Sequence, residues 1–80
     1  MRVKILAFGI IKEIFGERQI VLELANGTTI NDLNQILINQ FPALSKLNSL
    51  MVAVNDEYAE DVVVINPGDE IALIPPVSGG

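Results

Sequence analysis

The run TINDLNQILINQFP, Thr29–Pro42, decides how the rest of the chain is read. Ile30, Leu33, Ile36, Leu37 and Phe41 recur at the spacing of one helical face. Thr29 has the hydroxyl of an N-cap, and Asp32 three residues later completes the pattern of a capping box. Pro42 lacks the N–H needed to continue the ladder, so it marks the stop. One helix with a single apolar face packs on a sheet, and both flanks read as strands.

Upstream, Val3–Gly9 is strand-like, with Val3, Ile5 and Ala7 on one face and Lys4, Leu6 and Phe8 on the other. Ile10–Phe15 is apolar but irregular and reads as a short helical turn closed by Gly16. Gln19–Leu24 alternates, with Ile20, Leu22 and Leu24 inward, before an Asn26-Gly27 turn. Downstream, Ala43–Leu50 reads as a loop with a helical turn. Met51–Asn55 is apolar on both faces, as at the centre of a sheet. Asp56-Glu57-Tyr58 reads as a turn, Val62–Ile65 as a short strand and Asn66-Pro67-Gly68-Asp69 as a second turn. Glu70–Ile74 is the last strand. The order is two strands, one long helix, then two or three strands, which makes the class α+β.

At 80 residues the chain is one domain. A domain of this size hides only about 60% of its unfolded surface. Half of the residues are apolar and 19% are charged, which is more apolar side chain than one small core holds. Part of it is expected as an exposed patch covered by a partner; the alternative is a dense core enriched in Ile and Val. The net charge is −5, and Arg2, Lys4, Lys12, Arg18 and Lys46 do not cluster along the chain. That argues against nucleic acid, whose binding is driven by clustered cations, and favours protein partners with basic surfaces. With no Cys and no His, a disulfide framework, a thiolate metal site and the usual neutral-pH base are all missing. Asp56, Glu57, Glu60 and Asp61 are read as a solvated loop, not a metal site. No run approaches the ~18 apolar residues of a membrane span. The opening Met1-Arg2-Val3-Lys4 is strand-like and not a signal peptide; a cytoplasmic location is the expectation.

Residues 1–74 form the body in this reading and 75–80 a tail. Pro75 and Pro76 lack N–H groups and fix φ, so they neither extend a paired strand nor start a helix interior. They project Val77, Ser78, Gly79 and Gly80 outward, over up to roughly 20 Å for the six tail residues. Without Cβ atoms, Gly79 and Gly80 leave the terminal carboxylate open to a narrow partner site. The alternative is a frayed end that happens to finish in glycine.

The stretch Asp69-Glu70-Ile71-Ala72-Leu73-Ile74-Pro75-Pro76-Val77-Ser78-Gly79-Gly80 resembles the ending of the small, sulfur-carrying subunits of molybdopterin synthase. Phe8 with Lys12-Glu13-x-x-Gly16, the helix opening Thr29–Leu37, and Val52-Ala53-Val54-Asn55 are similar to that family's first strand and turn, helix and central strand. The resemblance implies a ubiquitin-like β-grasp, with the terminal strand returning between the two initial strands. It also implies a carrier in molybdenum cofactor biosynthesis. A ubiquitin-activating-like adenylyltransferase, holding the ATP and magnesium, would adenylate Gly80. A sulfur-donor protein would convert the adenylate to a thiocarboxylate. The charged tail would then enter the synthase large subunit and give sulfur to a cyclic pterin precursor. Gly79 would provide access, no cofactor or metal would be bound by this chain, and the assembly would be a heterotetramer. The chain would supply no catalytic side chain of its own. Phe8, Tyr58 and Ile74, with Pro75, Pro76, Val77 and Ser78, would face partners; Phe8 and Ile74 read equally well as core residues. Relatives often have an aromatic residue at the place of Ile74 and Arg at the place of Lys12. A sulfur carrier for another pathway such as thiamin biosynthesis, a protein modifier forming isopeptide bonds, and a non-chemical interaction module remain as alternatives.

Overall fold

The computed structural model describes residues 1–47 and 50–75. Its elements are β1 (Arg2–Ala7), α1 (Gly9–Phe15), β2 (Gln19–Glu23), α2 (Ile30–Gln40), a 3₁₀ turn (Pro42–Lys46), β3 (Met51–Val54), β4 (Glu57–Tyr58) and β5 (Glu70–Ile74). The strands form one mixed sheet in the order β2-β1-β5-β3-β4, a ubiquitin-like β-grasp. β1 and β2 form an antiparallel pair, β5 runs parallel to β1, and β3 is antiparallel to both β4 and β5.

Helix α2 forms where the spacing places it. The Thr29 hydroxyl accepts the Asp32 N–H at 3.2 Å, and the Asp32 carboxylate accepts the Thr29 N–H at 3.1 Å. Two of the four orphan N–H groups at the helix start are thereby satisfied. Two distant carbonyls serve the next donors, Val63 accepting from Ile30 and Asp61 from Asn31. Ile30, Leu33 and Leu37 are fully buried, facing Val3, Ile5, Ile71 and Leu73 on one face of the sheet. Burying each such side chain contributes about 1.5–3 kcal/mol. Phe15 at the end of α1 meets Phe41 beyond α2 with ring centroids 4.5 Å apart, closing the core at one side.

The structure corrects five readings. The terminal strand does not lie between β1 and β2; it pairs with the other edge of β1 and is bordered by β3. Antiparallel pairing with β2 already occupies one edge of β1, leaving only the far edge free. Hence β5, and not β3, is the central strand. Val62–Ile65 forms only an isolated bridge, Thr29 to Val64, because the partner segment turns into α2 at once and the ladder cannot extend. Glu57–Tyr58 is strand instead of turn; the turn is Asn55-Asp56, both at positive φ of 52° and 71°, as a two-residue hairpin demands. The irregular segment before Gly16 is a seven-residue helix starting at Gly9.

Candidate functional site: the tail root and the open face of the sheet

Every helix packs against one face of the sheet, so alternation along the strands leaves the other face uncovered. On β5, Ile71 and Leu73 enter the core, while Glu70, Ala72 and Ile74 face the open side. Register then builds the surface. Leu6, Ala72 and Ala53 lie side by side, with Tyr58 opposite Ala53 at the edge. Met51 is paired with Ile74. Phe8 continues β1 with extended dihedrals (φ −125°, ψ 153°), one step past the Ala7–Leu73 pair, which puts it level with Ile74. Phe8, Ile74 and Met51 therefore cross the open face at the end where the chain leaves β5.

Phe8 is 50% exposed, Met51 46% and Tyr58 67%. The apolar surplus seen in the composition is partly here, outside the core. Ile74 is half-buried, yet it lies on the open face and not among the core side chains. The family resemblance implies Phe8, Tyr58 and Ile74 as partner-facing but not Met51, which only its register opposite Ile74 brings to this surface.

The root of the tail is held at Pro75. Gly9 adopts φ +54°, and a Cβ built there would stand 3.1 Å from Pro75 Cγ. Pro75 thus lies directly over the start of α1. Beside it lies a cleft of about 500 Å³ lined by Leu6, Phe8, Gly9, Lys12 and Arg18. Lys12 comes from the helix, and Arg18 is placed by its carbonyl, which accepts the Ala7 N–H at 2.8 Å. The sequence shows these cations as unclustered; the return from α1 into β2 brings both to the tail root. Arg18 and Gly9 had no signal of their own in the linear pattern. Pro76, Val77, Ser78, Gly79 and Gly80 lie outside the described residues.

Asp56, Glu57, Glu60 and Asp61 are all exposed, and among the described residues no three acidic side chains converge as a metal group. Among the described residues, no helix is long and apolar enough to cross a membrane. The chain has no Cys and no His, and its open face presents Phe8, Met51 and Tyr58 to solvent.

Residues 5–80 match the ThiS family. The chain is similar to the molybdopterin synthase sulfur carrier subunit of Caenorhabditis briggsae, at 40% identity over 87 residues covering 98% of this chain and 96% of that one. Its fold is similar to that of SAMP1 from Haloferax volcanii, with TM-score 0.85, 29% identity and full coverage of both chains. It is also similar to a chain of the complex of subunits 1 and 2 of molybdopterin-converting factor from Helicobacter pylori, with TM-score 0.71, 28% identity and full coverage of both. Near-complete alignment at these identities settles the lineage: the chain belongs to the ThiS family, with the molybdopterin synthase sulfur carrier subunits as its curated relatives.

Proposed function

We propose that this chain is the sulfur carrier subunit of a molybdopterin synthase and that the Gly80 carboxylate carries the sulfur. The observation that bears most weight is the full-length match to sulfur carrier subunits, joined to a body that offers docking surface but no thiol or imidazole. A carboxylate is a poor acyl electrophile. Attack of the Gly80 carboxylate on the α-phosphate of ATP, in an activating partner that holds the magnesium, releases pyrophosphate and leaves an acyl adenylate. Sulfide, delivered by a donor protein, then attacks the acyl carbon and displaces AMP, and the product is a thiocarboxylate. In the large subunit its sulfur passes to a cyclic pterin precursor, and water restores the carboxylate. The similarity to one subunit of the Helicobacter pylori two-subunit complex supports the large-subunit partner.

Phe8, Met51, Ile74 and Tyr58 then form the docking surface, whose binding free energy offsets the ordering of a glycine-ended tail. Lys12 and Arg18 flank the point where the tail departs, suited to carboxylates of a partner. Similarity to SAMP1, a small archaeal modifier protein, supports a second reading, in which the activated Gly80 is joined to lysines of other proteins.

Intact mass spectrometry of the protein isolated from its own cells separates the two. A mass increase matching replacement of one oxygen by sulfur at Gly80, abolished by deleting Gly80, is the result expected. Ladders of high-mass adducts without a thiocarboxylate would instead establish the modifier. Phe8→Asp and Met51→Asp leave folding intact, since both side chains are half exposed, and weaken large-subunit binding by more than about tenfold, as for truncated anchor residues. Unchanged binding in both variants would remove the open face from the docking surface.

A further inference from the structure

A second uncovered region lies at the end of the sheet away from the tail. Val62, Val63 and Val64 are 78%, 37% and 47% exposed. Three consecutive β-branched residues in the open are an edge liability unless something covers them. Their backbone is strand-like on one side only. The Val63 carbonyl accepts from Ile30 N–H and the Ile65 N–H donates to the Thr28 carbonyl, both at 2.9 Å. In this arrangement Val64 stands opposite Thr29, so its own N–H and C=O point away from that partner. Neither group has a hydrogen-bond partner among the described residues.

That free edge borders a cleft of about 550 Å³, whose walls include Val63, Val64, Tyr58, Ala59, Glu57 and Glu60. The floor is rigid. Asn55 Nδ2 donates to Asp69 Oδ1 at 2.9 Å, the Glu70 N–H donates to Asn55 Oδ1 at 3.0 Å, and the Asn66 N–H donates to Asp69 Oδ2 at 2.8 Å. Both Asp69 oxygens are therefore engaged within the fold. Glu57 and Glu60 are exposed on the rim and make no ion pair among the described residues. Asp56 and Asp61, adjacent in the chain, add to the negative field.

We infer that this cleft receives an extended segment of a partner protein in which apolar residues alternate with Lys or Arg. The segment adds as a strand to the free edge of Val64. Its N–H and C=O meet those of Val64, its apolar side chains cover the valines, and its cations face Glu57 and Glu60. Strand addition of this kind draws affinity from main-chain hydrogen bonds and selectivity from alternate side chains. The cleft adjoins the start of β5, and the tail leaves from its end, about 15 Å away along the strand. A partner bound here shares Tyr58 with the open face but leaves Phe8, Met51 and Ile74 uncovered.

The test uses the full chain, labelled with ¹⁵N, and a short acetylated and amidated peptide alternating lysine with valine. Expected are shifts at Val62, Val64 and Ile65, and exchange of the Val64 amide with solvent slowed by about the bound-to-free ratio. The same peptide with glutamate in place of lysine does not bind. Glu57→Gln combined with Glu60→Gln weakens binding about fivefold, the scale of two exposed ion pairs. Val62→Lys abolishes it without lowering the melting temperature. Absence of binding, equal binding of the acidic peptide, or shifts centred on Phe8, Met51 and Ile74 would overturn the inference. Concentration-dependent self-association protecting Val62–Val64 would also overturn it, by showing that a second copy covers the edge.

Discussion

Replacing Gly9 by alanine probes the joint between body and tail. Gly9 sits at φ +54°, where an L residue costs about 1–2 kcal/mol. Gly16 is at φ +78° but has nothing within 4 Å of a built Cβ, so Gly16→Ala measures that strain alone. At Gly9 the new methyl also meets Pro75 Cγ at 3.1 Å, inside the usual carbon–carbon optimum of about 3.5–4.0 Å. Pro75 must yield by a few tenths of an ångström, and crowding of this kind costs about 1 kcal/mol or more. Gly9→Ala should then lose about 2–3 kcal/mol against about 1–2 for Gly16→Ala. For a domain of this length each kcal/mol lowers the melting temperature by about 4–8 °C.

The measurement is urea and thermal unfolding of Gly9→Ala, Gly16→Ala, Pro75→Ala and the two doubles containing Pro75→Ala. A double-mutant cycle cancels the effect of proline on the unfolded chain and leaves the pairwise contact. Pro75→Ala should restore about 1 kcal/mol in the Gly9→Ala background and nothing in the Gly16→Ala background. Equal losses at the two glycines, with no coupling between positions 9 and 75, would refute the placement of the tail root over α1. If that placement holds, the Gly9→Ala protein should also load sulfur more slowly than a Gly16→Ala protein assayed at the same folded fraction.

Other consequences concern the helix and the core. Thr29→Ala removes the acceptor for the Asp32 N–H and should cost about 1 kcal/mol, visible as a lower urea midpoint with an unchanged slope. Asp32→Asn, which retains an acceptor oxygen for the Thr29 N–H, should lose less than Thr29→Ala. Leu33→Ala empties a fully buried position between α2 and the sheet and should cost about 2–5 kcal/mol; a loss under 1 kcal/mol by calorimetry would mean that the site collapses or is not core.

Local chemistry is what the linear pattern records, and there it is legible. Helix α2 with its cap, the alternation of β1 and β2, the final strand and its proline stop each depend on side chains near one another in sequence. The apolar surplus was legible too, because composition and chain length bound how much a small interior can hold. Pairing is a different matter. Nothing local tells β5 which edge of β1 is vacant, so its position beside β1 and β3 emerged only with the assembled sheet. The same holds for Met51 joining Phe8 and Ile74, for Arg18 joining Lys12, and for Gly9 lying beneath Pro75. Val62–Ile65 has the composition of a strand, yet its partner turns away into α2 and leaves one bridge and an open edge. Hydrophobic burial and propensity choose the elements; contacts between residues distant in sequence choose their neighbours, and those contacts exist only once the chain has closed on itself.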